Sequence, residues 1–290
     1  MTGATATWDE QVLEERTHAL RRRRLGTAAV LLVVLGSLYY AGFFDAARYG
    51  RGIPAISRII VKEGFPPDFR IRAEGFREWW SGERGFAAAV PWALPLWDTL
   101  LMSIGGTTLA VVLSFGLGFL AARNTTPHPA AYAAARGILN LLRAIPELVM
   151  GIIFLVAVGV SMPPILPGVL ALGFHSIGMI GKFFAESIEH CDPAPLEAVR
   201  AVGGRGLQVI WHGVLPQTFP QMADVAFYRW EYNFRASVVM GMVGCGGLGL
   251  QIQAALAMME YRQLTALLIL VLITVTLVDA TGAFLRKKLK

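Results

Sequence analysis

Six long apolar runs are the feature of this chain that most constrains its fold. A helix needs about 20 apolar residues to cross the hydrocarbon core of a bilayer. Lipid offers the backbone no hydrogen-bond partner, so only helices and closed barrels span it, and these runs are too long and too continuously apolar for barrel strands. We therefore expect an all-α polytopic membrane protein with about six transmembrane helices. The predicted spans are 25–44, 96–121, 134–160, 165–188, 222–249 and 263–285.

The charge distribution predicts the orientation of these spans. Only 16% of the residues are charged, against roughly a quarter in soluble domains, and the formal net charge is +6. Much of the positive excess flanks the first and last apolar runs, at residues 21–24 and 286–290. Cytoplasmic flanks of membrane helices are enriched in Lys and Arg, so we expect both termini in the cytoplasm and no nucleic-acid partner.

The chain divides along the same lines. We expect a cytoplasmic N-terminal segment at 1–24, a first transmembrane helix at 25–44, an external segment at 45–94 and a five-helix core at 95–290. The first run is longer than the apolar region of a signal peptide, which favours an uncleaved span. The tryptophan-containing external segment is either a connector on the membrane surface or a docking surface. Cys191 and Cys245 fall at different predicted depths, so no disulfide is expected.

A polar cytoplasmic loop at 189–216 carries the most specific motif. It reads Glu-Ala-Val-Arg-Ala-Val-Gly at 197–203, followed by Leu-Pro at 215–216. Asp192-Pro193 is a typical helix start, and Gly203-Gly204 permits a sharp turn. A second helical run at 207–214 is predicted to end before Pro216. The expected order is helix, glycine turn, helix and proline exit.

This spacing resembles the EAA loop of ABC importer permeases, through which a separate ATPase acts on the membrane helices. Two positions depart from that pattern: Val199 replaces the second alanine, and Gly213 stands where isoleucine is expected. The resemblance implies a set of residues that couple the chain to the ATPase: Glu197, Ala198, Arg200, Gly203, Leu215 and Pro216.

Segments from residue 95 onward resemble the phosphonate importer permeases of the PhnE family. The segments that carry the resemblance are 143–148, 181–186, 213–217, 228–235 and 243–249. The resemblance implies a type I, MetI-like permease fold in the bacterial inner membrane. It also implies a homodimer, two ABC ATPase subunits that bind ATP and Mg²⁺, an external substrate-binding protein, and no cofactor on this chain. The implied substrate is a phosphonate or related phosphorus oxyanion, with phosphite, phosphate or an amino acid as alternatives.

Charged and polar residues within the predicted spans are pathway candidates, because such residues usually face the interior of a helix bundle. Spacing places Arg143 and Glu147, and again Glu231 and Arg235, on one helix face each, while Pro146 is expected to open its helix locally. The charges either line an anion pathway or lock helices together by pairing, each with its own i,i+4 neighbour or with the opposite pair. The candidates are Arg143, Glu147, His175, Arg229, Glu231, Asn233 and Arg235.

His175 either lines the pathway or packs with one hydrogen bond. A glycine cluster formally matches a dinucleotide-binding motif, but that motif requires a preceding strand. We expect these glycines instead to break span five, to let backbones approach and to form a non-helical loop at the pathway entrance. The cluster comprises Gly244, Gly246, Gly247 and Gly249.

The chain lacks the motifs of a phosphate-binding loop, a zinc protease and a serine hydrolase, so we expect a transport subunit and not an enzyme. A membrane enzyme using Glu147, His175 and Glu231 as acid–base groups remains an alternative. A secondary transporter is the other, although no inverted repeat is obvious.

Overall fold

The computed structural model describes residues 3–40, 57–71, 89–159 and 164–289, together with the single positions 54, 78, 81 and 85. The chain forms two compact units, residues 1–62 and 63–290. In the first unit, helix α1 runs from Gly3 to Tyr40 and joins the polar N-terminal segment to the first apolar run. A π-helical turn follows at Arg58–Glu63.

The second unit contains nine α-helices among its described residues. Two π-helical segments, Ile210–Val214 and Gly241–Cys245, flank α8. The α-helices are α2 (Ala93–Ala121), α3 (Pro129–Ala144), α4 (Glu147–Val158), α5 (Leu166–Glu189), α6 (Pro193–Ala201), α7 (Gly206–Val209), α8 (Leu215–Met240), α9 (Gly247–Ala257) and α10 (Tyr261–Leu289).

Three of these helices, α2, α5 and α10, are each long and apolar enough to cross a membrane. Two bent pairs qualify as well, if each pair is one span. The predicted spans 96–121, 165–188 and 263–285 correspond to the three single helices. α1 does not meet the same criterion, and residues 41–44 of the first predicted span lie outside the described residues, so that span stays a prediction.

The predicted span 134–160 is not one helix. α3 and α4 meet at an angle of 91°. Pro146 has no backbone N–H and disfavours a helical conformation for the residue before it; accordingly, Ile145 is extended, with φ −84° and ψ 123°.

The predicted span 222–249 is also broken, but its second half extends further than expected. A helix from Gly206 to Cys245 is followed by α9 at an angle of 59°. Gly244, Gly246 and Gly247 have φ angles of +115°, +84° and +71°, which only glycine adopts readily. The glycines therefore end one helix and turn the chain directly into the next.

Helix α5 lies at the centre of the second unit and packs against α2, α3, α4 and α8. Small residues permit close contact, as in many membrane bundles. A Cβ at Gly118 would lie 2.9 Å from the Cβ of Phe184, and one at Gly178 would lie 2.8 Å from the backbone nitrogen of Arg143. The central residues of α5 are fully or almost fully buried: Leu172, Ser176, Ile177, Ile180, Phe184 and Ile188.

Residues 66–70 lie against the start of α10. The Asp68 backbone N–H donates to the carbonyl of Arg262 (3.1 Å), and Arg262 Nε donates to the carbonyl of Pro66 (2.9 Å). Arg70 pairs with Glu260. This part of the predicted external segment is thus tied to the bundle, whereas Trp79 and Trp80 lie outside the described residues.

Candidate functional site

The loop at 189–216 begins with a short surface helix, as its sequence predicts. Asp192 Oδ1 caps α6 by accepting from the backbone N–H of Ala194 (3.0 Å). Leu196 is the one buried residue of this helix and holds it against the body of the protein. Glu197, Ala198 and Arg200 are exposed. The helix therefore presents a small, charged face that another protein can reach.

The glycine turn after α6 also forms where it was predicted. Gly203 has a φ of +86°, and the Gly204 N–H donates to the carbonyl of Val199 (2.9 Å). A Cβ on Gly204 would lie 2.6 Å from that same carbonyl oxygen. Val202 and Leu207, on either side of the turn, are 86% and 82% exposed.

The structure gives a reason for glycine at position 213. Gly213 is buried, and a Cβ there would lie 3.3 Å from the Cα of Leu196. A larger side chain would push α6 away from the helix that follows the turn. Glycine in place of isoleucine thus permits close packing between the two helical parts of the loop.

The prediction that the second helical run of the loop ends before Pro216 is wrong. Helical structure continues from Gly206 through Leu215 and Pro216 to Cys245. The π-helical segment explains this, because the Leu215 N–H donates to the carbonyl of Ile210, five residues back, and Pro216 falls in the first turn of α8. The Asp192 N–H also donates to Gln217 Oε1 (3.0 Å), which fixes the start of α6 to α8.

A buried polar network links α2, α5 and α8 near their midpoints. Arg229 Nε donates to Ser176 Oγ (2.8 Å), and Ser176 Oγ donates to Asn233 Oδ1 (3.0 Å). Asn233 Nδ2 donates to Thr107 Oγ1 (2.8 Å). All four residues are at least nine-tenths buried. The predicted candidates Arg229 and Asn233 therefore share one network.

Glu147 joins this region through Tyr232. The Tyr232 hydroxyl donates to Glu147 Oε1 (3.1 Å), and the Arg229 guanidinium carbon lies 4.1 Å from the centre of the Tyr232 ring. Arg229 Nη2 and Glu147 Oε2 are both buried without a hydrogen-bond partner. Within the described part of the chain, Arg229 forms no ion pair.

His175 lies beside the bend between α3 and α4. Its Nδ1 is 3.1 Å from the carbonyl oxygen of Ile145. That carbonyl belongs to the extended residue before Pro146, so the imidazole N–H satisfies a backbone acceptor that the bend leaves outside the helix. This contact agrees with one of the two alternatives predicted for His175, a packed histidine with one hydrogen bond.

Neither predicted i,i+4 ion pair forms. The 91° bend separates Arg143 from Glu147, and Arg143 is exposed. Glu231 pairs with Arg286 of α10, not with Arg235. Tertiary packing thus overrides the helical spacing.

Arg235 pairs with Asp279 of α10 at 2.8 Å, and these two side chains are 45% and 44% exposed. The Glu231 carboxylate, by contrast, is buried against Gly282, where a Cβ would lie 2.9 Å from Glu231 Cδ. These ion pairs, which differ greatly in exposure, therefore connect α8 to α10.

The glycine cluster brings two backbone segments into contact. A Cβ on Gly249 would collide with the carbonyl of Val238 and lie 2.7 Å from the backbone nitrogen of Met242. Thr99 Oγ1 accepts from the Leu248 N–H (2.8 Å) and so attaches the start of α9 to α2. The two backbone segments approach each other closely, as expected, but the glycine segment is a tightly packed break between two helices.

Several residues of this region were missed by sequence reasoning. Thr107 and Ser176 gave no signal, since hydroxyl residues are common in membrane helices. Asp279 did give a signal in the sequence, because it is an isolated acid in an apolar run.

Cys191 and Cys245 are both free thiols, and burial raises the pKa of the Cys191 thiol.

Residues 114–290 match the family model described as binding-protein-dependent transport system inner membrane component. The chain is 50% identical over 292 residues to the phosphite transport system permease protein PtxC of Stutzerimonas stutzeri, covering 98% of each chain. It is 43% identical over 190 residues to the phosphate-import permease protein PhnE of Mycolicibacterium smegmatis, covering 66% of this chain and 35% of that one.

Solved structures support the same fold. The inward-facing MetNI methionine ABC transporter matches with a TM-score of 0.60 and 21% identity, over 69% of this chain and 98% of that one. An amino acid ABC transporter matches with a TM-score of 0.58 and 16% identity, over 68% and 93%. At these identities the likeness shows the fold alone.

Proposed function

This chain belongs to the binding-protein-dependent transport system inner membrane components, and we propose that it is the permease subunit of an ATP-driven importer for phosphite, phosphonates or a related phosphorus oxyanion. PtxC, similar over nearly the full length, is named for phosphite transport, and PhnE for phosphate import. These substrates are anions with several oxygens on one phosphorus. The buried guanidinium of Arg229 supports an anionic substrate, because a cation lowers the cost of bringing an anion into a low-dielectric interior.

The observation that carries the proposed coupling is the unbroken helical connection from the loop to the middle of the bundle. α6 presents Glu197, Ala198 and Arg200 on the surface and is fixed to α8 through Asp192 and Gln217. Helical structure then continues from Gly206 past Arg229 to Cys245. A push on α6 would thus be transmitted to the polar network. We propose that two ABC ATPase subunits bind ATP and Mg²⁺ and deliver that push.

The Arg235–Asp279 pair supports a homodimer. Asn233, two residues before Arg235, bonds to Thr107 at the middle of α2, so the pair lies near the level of the middle of that apolar helix. Charges at that depth are costly in lipid and usually face protein or a water-filled cavity. Because this pair is nearly half exposed on one chain, we propose that a second copy and the shared pathway cover it. The external binding protein would deliver substrate from the opposite side to α6, and both termini would be cytoplasmic.

Uptake in cells that carry the complete importer tests this proposal. Phosphite, methylphosphonate and phosphate are compared for the parent chain, for Glu197→Ala and for Glu186→Ala. Glu186→Ala is the matched control, because it also removes a glutamate carboxylate on the loop side of the bundle. Glu186 lies in α5, outside the loop. We expect Glu197→Ala to reduce uptake by about tenfold or more, since a charge-assisted contact contributes roughly 1.5–3 kcal/mol, while Glu186→Ala stays near the parent.

Each alternative predicts a different result. A secondary transporter would retain uptake in Glu197→Ala, and a membrane enzyme would retain activity without any ATPase partner. ATP-dependent uptake of another solute, with none of the three phosphorus compounds, would preserve the permease assignment and contradict the substrate.

A further inference from the structure

Among the described residues, one charged donor and one charged acceptor are buried without a partner, and both groups belong to side chains that contact Tyr232. The donor is Arg229 Nη2, and the acceptor is Glu147 Oε2. Tyr232 connects them: its hydroxyl bonds the other oxygen of Glu147, and its ring contacts the Arg229 guanidinium. Arg229 as a whole is only 4% exposed.

Unsatisfied buried polar groups are uncommon in native proteins and costly where they occur. The two groups do not satisfy each other, because no ion pair joins them among the described residues. Neighbouring atoms of the same side chains are engaged: Arg229 Nε with Ser176, and Glu147 Oε1 with Tyr232. A ligand that meets both remaining requirements must offer an anionic oxygen to the guanidinium and an O–H to the carboxylate.

A singly protonated phosphorus oxyanion has both groups on one phosphorus. Hydrogen phosphite and a hydrogen alkylphosphonate each carry P–O⁻ and P–OH. The dianions of phosphite and of an alkylphosphonate have no O–H, so their oxygens would face the Glu147 carboxylate with like charge and no hydrogen bond. Sulfate, which is fully ionised at neutral pH, likewise has no O–H to donate.

We propose that Arg229 and Glu147 form a transit site that selects the singly protonated form of the oxyanion, with Arg229 binding P–O⁻ and Glu147 accepting from P–OH. The site rests on the proposed function and specifies which ionic form of the substrate crosses. It would pass one negative charge instead of two through the low-dielectric bundle, where the cost of a charge rises steeply.

Other titratable groups surround this site and must be separated from the substrate in any pH experiment. His175 of α5 interacts electrostatically with both Arg229 and Glu147. Tyr228 and Tyr232 lie on the same helix as Arg229. From α2 the network receives the hydroxyl of Thr107, which does not titrate. Arg286 of α10 is engaged with Glu231 and Asp224.

Uptake of phosphite between pH 6 and pH 8 tests the proposal in the complete importer. The second proton of a phosphoryl group dissociates at about pH 6, so the singly protonated fraction falls steeply over this range. Glu147→Gln replaces the acceptor by an amide that can also donate to a deprotonated oxygen. We expect its uptake to fall at pH 6 and the ratio of its uptake to that of the parent to rise by about tenfold or more by pH 8.

Matched variants separate this role from a structural one. The same binding protein is present in every strain, so the ratio isolates the contribution of the permease. Arg229→Gln should lose about tenfold or more of uptake at every pH. Glu186→Gln and Lys182→Gln, which remove an exposed i,i+4 pair on α5, should match the parent throughout. Abundance in the membrane fraction and co-purification of the ATPase confirm that each variant assembles.

Two results would overturn the selection of the protonated form while leaving the importer intact. One is a flat ratio of Glu147→Gln to parent uptake across the pH range. The other is a pH dependence that disappears in His175→Gln but persists in Glu147→Gln. If the parent itself imports none of phosphite, methylphosphonate and phosphate, the proposed function fails, and this site fails with it.

Discussion

At the scale of single residues, the break after α8 depends on glycines that have no room for a side chain. Position 249 faces the carbonyl of Val238 and the backbone of Met242, not a flexible side chain. An added Cβ there could fit only if the two backbone segments moved apart. That movement would also disturb the hydrogen bond from Leu248 to Thr99.

We therefore expect Gly249→Ala to destabilise the folded chain by about 1–3 kcal/mol, the usual cost of overpacking. Gly116→Ala in α2 is the matched control, because a Cβ added there would meet open space within 4 Å and alanine favours helix. Thermal unfolding of the detergent-solubilised complex measures both. Equal unfolding temperatures for the two variants would show that the backbone at the break yields easily.

The charged residues illustrate how position in the bundle decides the role of a side chain. Arg235 and Glu231 are four residues apart on one helix, yet each binds a different residue of α10. Glu231 is buried and needs its arginine, since an uncompensated buried carboxylate is strongly destabilising. Arg235 pairs with Asp279 and remains accessible.

At the scale of helices, the bend between α3 and α4 shapes the site. It places Glu147 at the start of a new helix, opposite Tyr232, and exposes the Ile145 carbonyl to His175. A proline within a helix costs about 3 kcal/mol, so Pro146 strongly opposes a straight span here.

We expect Pro146→Ala to lengthen the distance between spin labels at positions 137 and 156, because the helix can then partly straighten toward a spacing of about 28 Å. Both positions are exposed. Double electron–electron resonance measures this distance in protein diluted with unlabelled chains, and uptake should fall in parallel.

Pro127→Ala, in the turn before α3, is the control and should change neither quantity. An unchanged distance in Pro146→Ala would mean that packing of α3 and α4 on α5 holds the bend without the proline.

The helix from Gly206 to Cys245 is the other element that organises function. The sequence predicted that this helix would end before Pro216. Its π-helical segment instead allows the helix to continue through Pro216. As a result, the surface loop and the polar network share one rigid element, and Gly246 marks the point where that element ends.

At the scale of the whole molecule, the accessible Arg235–Asp279 pair requires a cover that lipid cannot provide. We expect the importer purified in lipid nanodiscs to contain two copies of this 31.5 kDa chain for each pair of ATPase subunits. Native mass spectrometry gives the stoichiometry directly. One copy, or one copy beside a different permease chain, would contradict the homodimer.

The sequence by itself determined the membrane class, the positions of three straight spans and the cap and glycine turn of the loop at 189–216. Each of these depends on local information: the length of an apolar run, a capping aspartate, or a glycine at positive φ. The resemblance of the motifs to importer permeases agrees with the family match. Pro146 and the glycines also marked where two further spans would break, although not the direction in which the chain continues.

Only the tertiary structure decided which charged residues meet. Helical spacing predicted two local ion pairs, whereas the partners are Arg286 for Glu231, Asp279 for Arg235 and Tyr232 for Glu147. Ser176 and Thr107 entered the site for the same reason, through contacts between helices far apart in the chain. Hydropathy and caps are properties of neighbouring residues, but inside a bundle the low dielectric makes every polar group take the best partner within reach, and helix packing decides what is within reach.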